Sequence, residues 1–444
     1  MLRRRITRTN RTCLGLGLVA AGLSIATATA QETQPQTPKS DDLSDGYLRV
    51  VEESGGLITL EVAARTFEPI DGVGPKISLV GVSHIGEAEL YTSLQELLNK
   101  HEVVLYESVM PTGGDGPKGS DDKLRHASTE KAMQFVAEAI ARHHTVNGRY
   151  PTSKAELLKF ARSKDPRLED WLAKAAIDAW GKTLTYTSPE DQQTFSLVSL
   201  GADGKEGGEG SDADIKLDQT SLPEADEMQG EEVNLQESLA KALGLEYQLV
   251  SIDYGQENWR CSDMTIDQLE RALKEEGSDF ALLEGALAGT SWQGKLAGAA
   301  LKIIQWLDDW ADGAISDMIK IVLIDLFADE TVIEQGLKQL GQGFEEVIVR
   351  QRNQVVIDEL LKMRESEPEV KSIAVFYGAA HMLDMQERLY SQLGYKAVSQ
   401  EWITAIQVDL SKSVLPPSQV RIMRRSFKQQ LKRQFGQSST GDDK

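Results

Sequence analysis

Two histidines stand in the same local pattern, Gly81-Val82-Ser83-His84 and Gly378-Ala379-Ala380-His381, in a chain that holds only six histidines. Each Gly-x-x-His follows a short, nearly continuous apolar run, residues 76–81 and 372–378, of the kind expected for strands buried on both faces. A third run, residues 103–106, ends at Glu107. In a parallel α/β sheet the ligand crevice lies outside the carboxyl ends of the strands. Glycine at a strand end permits a sharp turn and lets the backbone come close to a ligand. Three strands would then deliver His84, Glu107 and His381 to one place. Two imidazoles and a carboxylate make a three-ligand site for a divalent transition metal (Mn, Co or Zn), with positions left for water. Water on such a metal ionises near neutral pH and attacks an amide or ester carbonyl. The plainer alternative is a pair of satisfied loop histidines and a capping or surface glutamate.

The elements that must position these residues follow from hydrophobic spacing. Residues 47–53 and 57–66 alternate or carry β-branched side chains, as strands do. Between the runs at 76 and 103, residues 87–100 set Leu90, Leu94, Leu97 and Leu98 at helical spacing. That predicts a strand–helix–strand unit with a right-handed parallel crossover. Helical periods return at 233–245, 265–276, 295–311, 314–328, 331–340 and 350–363, and residues 402–410 read as a last strand. The apolar stretch 300–327 is broken by Asp308, Asp309, Asp312 and Asp317, which favours buried or amphipathic helices over a membrane span. Asp253, Arg260 and Asp263 form a polar cluster before a helix. There Asp263 or Thr265 reads as the cap, and capping and packing are favoured over catalysis.

A length of 444 residues suggests two or three domains, and 40% hydrophobic with 26% charged residues is a globular composition. The formal charge of −21 repels phosphate backbones and argues against nucleic-acid partners. Two cysteines exclude a disulfide framework and a Cys₄ zinc site. Arg3, Arg4, Arg5, Arg8 and Arg11 precede an apolar stretch from Cys13 to Ala26 and then Ala28-Thr29-Ala30. This is the pattern of an export signal over residues 1–30, and it predicts a periplasmic or secreted protein. A polar linker over 31–45 follows. Residues 112–124, rich in Gly and Asp, mark a boundary. Together these divide the chain into body segments 46–115 and 233–410, an insert over 116–220, an acidic linker over 221–232 and a basic tail over 411–444.

The motifs GVSHIGEAELY, VVLYESV, VIVRQRN and VFYGAAHMLDMQERL resemble the TraB/TIKI (TraB/PrgY/GumN) family across roughly 46–115 and 233–410. The resemblance implies an α/β fold of EreA/ChaN-like type with a central, mostly parallel sheet. From TIKI-like members it implies metal-dependent peptidase activity on a peptide or protein substrate. It makes His84, Glu107 and His381 the metal or catalytic residues and Arg352 the matching helix arginine. A guanidinium fork there would hold a substrate carboxylate or a developing oxyanion. The general base is unassigned, with Glu87 a candidate.

The insert has an order of its own: a helix near 128–145, then NGRYPTS, IDAWG, SLGADG and DADI. Asp203, Glu209, Asp212 and Asp214 lie among glycines that bend backbone and expose carbonyls, a mixture of oxygens that suits Ca²⁺. A solvated acidic loop is the plainer alternative. This module resembles the globular part of the major pseudopilin of type II secretion, the G subunit. The resemblance implies an α+β module with calcium held by the side chains of Asp203 and Asp212 and the carbonyls of Leu200, Lys205 and Gly208. Gly210 stands where many members carry a second acidic ligand, leaving Glu209, Ser211 or water to substitute. The filament-forming leader and long apolar helix do not precede the module here, so no filament is expected.

In the tail, Arg421, Arg424, Arg425, Lys428, Lys432 and Arg433 accompany Met423, Phe427, Leu431 and Phe435 at helical spacing. Docking on the protein's own acidic surface, or solvation, is favoured over membrane contact. Two functions follow: an exported metal-dependent hydrolase, or a non-catalytic exported binding protein whose insert recognises a secretion or cell-surface partner.

Overall fold

A computed structural model describes residues 3–4, 46–221, 235–278, 315–327, 343–413 and 416–435. The body is a mixed α/β domain around an eight-stranded sheet. Along the sheet, Leu48–Glu53 pairs antiparallel with Leu57–Pro69, which pairs antiparallel with Lys76–Val82. The next four strands, Lys76–Val82, Ser372–Gly378, Val103–Tyr106 and Trp259–Cys261, are all parallel. The long strand Tyr395–Asp409 covers the remaining edge of Leu57–Pro69 from Pro69 to Leu57. It begins seven residues before the expected start at 402 and ends one residue short of 410. The export signal falls outside the described residues except for Arg3–Arg4, whose backbone pairs antiparallel with Glu52 and Glu53.

The three apolar runs are strands buried along almost their whole length. Their alternation feeds two cores. Val80, Val82, Val104, Tyr106, Ala374 and Phe376 face Leu90, Tyr91, Leu94 and Leu98 of helix Ala88–Leu98. Ile77, Leu79, Val103, Leu105, Ile373, Val375 and Tyr377 face Val356, Ile357 and Leu360 of helix Arg352–Ser366. A two-residue period splits each strand between the faces, and burying a large apolar side chain contributes about 1.5–3 kcal/mol. The expected strand–helix–strand unit forms, but its strands are not neighbours. Ser372–Gly378 is inserted between them, bonded to Lys76–Val82 on one side and Val103–Tyr106 on the other.

The connection from Val103–Tyr106 to Trp259–Cys261 carries the module. Helix Asp122–Asn147 starts at Asp121, whose side chain accepts Leu124 N–H at 2.9 Å, and stops at Gly148 with φ 69°. Ser153 and Asp165 cap Lys154–Lys164 and Pro166–Ala175 in the same way. Thr185–Thr187, Ser196–Ser199 and Ile215–Asp218 form a separate antiparallel sheet. Module residues Met133, Val136, Trp171 and Leu172 share one apolar core with Tyr106, Tyr254 and Trp259 of the body.

Helices Leu235–Ala242, Ile266–Glu275 and Ile315–Phe327 fall inside expected spans. The expected helices at 295–311 and 331–340, and the linkers 31–45 and 221–232 apart from Ser221, lie outside the described residues. Thr265 with Gln268 forms the capping box, which leaves Asp263 free for another role. The tail forms helix Pro417–Phe435 and docks on the body: Arg424 is buried against Asp325, with Nε–Oδ2 at 2.8 Å and Nη2–Oδ1 at 2.6 Å, and reaches Glu52 at 2.6 Å. Among the described residues no helix is long and apolar enough to cross a membrane.

Candidate functional site at the strand ends

Both Gly-x-x-His turns and Glu107 lie just past the ends of adjacent parallel strands. A Cβ placed on Gly378 would stand 3.3 Å from Glu107 Oε2, 3.8 Å from His84 Nε2 and 3.8 Å from His381 Cδ2. His84, Glu107 and His381 therefore surround one point. That point is open only because residue 378 has no side chain. Its φ is −50°, so space, and not a turn forbidden to other residues, is what glycine supplies here. At Gly81 likewise, a Cβ would press on the Ala63 carbonyl at 3.2 Å.

Each ring is held from behind. The Asn353 amide donates to the His381 carbonyl at 3.0 Å and to Asp384 Oδ2 at 2.9 Å, so its Oδ1 faces His381 Nδ1 at 2.8 Å. Gln248 Nε2 donates to the Tyr254 hydroxyl at 2.8 Å, so its Oε1 faces His84 Nδ1 at 2.7 Å. Both imidazoles then carry their proton on Nδ1 and leave Nε2 bare, the arrangement that a hydrogen-bond acceptor behind the ring imposes on metal-binding histidines. His381 is buried and His84 is exposed.

Arg352 lies at the centre of the charge. It follows the π-helical turn Glu346–Gln351 and is 6% exposed, too buried for a surface charge. Its Nε and Nη2 bond the two oxygens of Asp263 at 2.9 and 2.7 Å, and Nη2 also bonds Glu107 Oε1 at 2.7 Å. Nη1 stands 3.5 Å from His381 Nε2. Glu107 Oε2 takes the Gly378 N–H at 2.7 Å. Burial by itself would raise the Glu107 carboxyl; His381, Arg352, His84 and the Gly378 amide outweigh it and hold it well below the usual carboxylate range. Burial lowers His381 to about 4, with Glu107 opposing. His381 is thus neutral at pH 7, its 3.5 Å approach to Glu107 is no ion pair there, and the standing positive charge is that of Arg352.

The donor set of two bare Nε2 atoms and one carboxylate is one that a divalent transition metal accepts. Among the described residues no group of three or more His, Cys, Asp or Glu is closed to metal-binding distances.

His84, Glu107, His381 and Arg352, which the motifs mark, lie together here, and they are joined by Asn353 and by Asp263, Gln248 and Tyr254, which no motif marks. Asp263 was expected as a cap or packing residue, and its carboxylate instead pairs with Arg352. The RQRN motif held the one available signal, since Asn353 directly follows Arg352. The candidate base Glu87 is engaged elsewhere: its Oε1 accepts from Lys320 Nζ and the Gln407 N–H, both at 3.3 Å.

In the module loop, Leu200 is half-buried and Lys205 and Gly208 are exposed. Asp203 Oδ1 accepts the Lys205 N–H at 3.0 Å. The Ala202 N–H meets the Ser211 carbonyl at 2.8 Å, and Gly208, at φ 89°, passes so close to Asp212 that a Cβ would lie 2.5 Å from its carbonyl oxygen. The Lys182 ammonium donates to the Gly201 carbonyl at 3.1 Å and to that of Ala202. The loop thus folds residues 201–208 back on Asp212.

The module is of a known class: residues 118–218 match the family model for the type II secretion system (T2SS), protein G. The type II secretion system core protein G of Pseudomonas aeruginosa is 36% identical over 101 residues, which are 21% of this chain and 71% of that protein. That of Xanthomonas campestris pv. campestris is 30% identical over 115 residues, 26% of this chain and 80% of its own. That of Vibrio cholerae is 29% identical over 103 residues, 22% and 70%. Through this segment the chain belongs to the type II secretion system protein G family.

Proposed function

We propose that this is an exported binding protein that uses its protein G-like module to engage a type II secretion component, with the α/β domain as the body that presents it. The observation that supports this best is the 118–218 match, which covers 71–80% of the first two relatives while occupying about a fifth to a quarter of this chain. A domain covering 71–80% of those relatives is carried in a strand-to-strand connection, with its core continuous with that of the body. The export signal over residues 1–30 and calcium at Leu200, Asp203, Lys205, Gly208 and Asp212 belong to the same proposal. Photo-crosslinkers at Val146 and Ile177, both exposed on the module, test it in cells: adducts with a type II secretion component are expected, and adducts with none of them reject it.

The strand-end geometry favours a second reading, a TraB/TIKI-like metal-dependent hydrolase acting on peptide or amide bonds. The specific observation is that two imidazoles with fixed tautomers and one carboxylate ring the same point at Gly378. His84, Glu107 and His381 would hold Mn²⁺, Co²⁺ or Zn²⁺, which supplies an ionised water, and Arg352 would orient a substrate carbonyl or carboxylate. Metal analysis of the purified protein tests this. About one equivalent beyond calcium is expected, lost in His84→Ala/His381→Ala, and unchanged content in that double variant rejects the site.

A further inference from the structure

A module side chain, Arg167, reaches the strand-end site. Arg167 follows Pro166 in the first turn of the module helix Pro166–Ala175, and Asp165 locks its guanidinium with Nε contacts of 2.9 and 3.0 Å and an Nη2 contact of 2.5 Å. Its free corner, Nη1, donates to Ser108 Oγ at 2.9 Å, and Ser108 is the residue after Glu107. The same guanidinium lies over the Tyr254 ring, with Cζ 5.8 Å from its centroid. Tyr254 is otherwise walled by Tyr106 at 5.0 Å, Trp259 at 5.6 Å and Phe376 at 6.4 Å. Its hydroxyl takes Gln248 Nε2, and Gln248 Oε1 takes His84 Nδ1. Gln248 is pinned further by its N–H on the His84 carbonyl at 2.9 Å. One cation of the module therefore touches the residue beside Glu107 and the head of a three-link chain ending on His84.

We propose that Arg167 is a positioning residue through which the inserted module sets the Glu107 turn and the tautomer of His84. The inference deepens the second reading and rests on the strand-end cluster being the working site. A guanidinium on an aromatic face, partly shielded from water, fixes both groups. Without it the Tyr254 ring keeps the body's aromatic wall and its bond to Gln248 but loses the cation on its face, so the hydroxyl that keeps the Gln248 oxygen toward His84 is less firmly placed. Anything that moves the first turn of helix Pro166–Ala175, a module partner included, would reach the site by this route.

The test uses the full chain labelled with ¹⁵N-histidine, free of metal, at pH 8. Two-bond proton–nitrogen correlations report which ring nitrogen carries the proton, and six histidines make assignment by single substitution practical. His84 is expected as the Nδ1–H tautomer. In Arg167→Ala it is expected to shift toward the Nε2–H form that an unconstrained imidazole favours, while the His381 pattern, fixed by Asn353, stays as it was. Arg167→Lys should restore the wild-type pattern in part, because the charge returns without the fork. Tyr254→Phe keeps the ring and removes the hydroxyl, and should shift His84 even if Arg167→Ala fails to fold. A His84 pattern unchanged in Arg167→Ala or in Tyr254→Phe overturns the proposal. Mn²⁺ titration separates the two claims. Wild-type protein that takes up no ion through His84 and His381 sinks the hydrolase reading and leaves the tautomer result to decide the role of Arg167. Where wild type binds, Arg167→Ala should bind about 10-fold more weakly.

Discussion

Arg352 and Asp263 form a two-point ion pair in the middle of the strand-end cluster, with Nε on Oδ1 at 2.9 Å, Nη2 on Oδ2 at 2.7 Å, and the Asp263 side chain fully buried. Removing one partner of such a pair leaves a buried charge uncompensated. Arg352→Ala and Asp263→Ala should each cost about 3–5 kcal/mol in urea unfolding, while the double variant should cost less than the sum. Additive losses would mean that the pair is not coupled.

Lowering the pH should destabilise the metal-free protein through His381. Its folded pKa, about 4, lies below the ordinary histidine value of 6.5, so between those values the unfolded chain binds a proton that the folded chain refuses. Stability is then flat for this residue above pH 7 and falls as pH drops from about 6.5 toward 4, by roughly 3 kcal/mol at most. Half-buried His101 is lowered too and adds in the same sense. Glu107, held low, adds its own loss as the pH falls through the ordinary carboxylate value of 4.5 and below. Urea midpoints at pH 7.5 and 5 should differ less in His381→Asn than in wild type, and an equal difference would refute the assignment.

Gly378→Ala should separate the site from the fold. The added methyl meets Glu107 Oε2 at 3.3 Å and the two imidazoles at 3.8 Å, at a φ that alanine accepts. Stability should change by about 1 kcal/mol or less. Mn²⁺ affinity should fall about 10-fold or more. Undiminished affinity would place any metal elsewhere.

Calcium should raise the melting temperature of wild type and not that of Asp203→Ala. At 100 times its dissociation constant a single bound ion contributes about 2.7 kcal/mol. A shift that survives Asp203→Ala would count against the loop.

Arg424→Met should cost about 3 kcal/mol, because Asp325 stays buried with, among the described residues, only Lys428, at 3.0 Å, to balance it. Little change in urea unfolding would show that the tail helix adds nothing to the body.

Much of the site was legible because its residues follow apolar runs whose period is local. Lys76–Val82, Val103–Tyr106 and Ser372–Gly378 declare themselves by composition, and the repeated Gly-x-x-His marks two of their ends. The supports were not legible, since each is a contact across the chain: Asp263 lies 89 positions from Arg352, and Gln248 lies 164 from His84. A capping aspartate and an ion-pairing aspartate look alike until the helix start is known, and Thr265 took the cap. Strand order was hidden for the same reason, because Ser372–Gly378 enters between two strands that precede it by hundreds of residues.

The claim on which the account turns is that the module docks on secretion machinery. Binding of full-length protein to purified type II secretion components, each tried separately, measures it most directly, with Val146→Asp and Ile177→Asp as surface variants that leave the module core intact. Saturable binding to one component, weakened by at least one of the two variants, is the expected result. No binding to any component, or binding that neither variant alters, would contradict it.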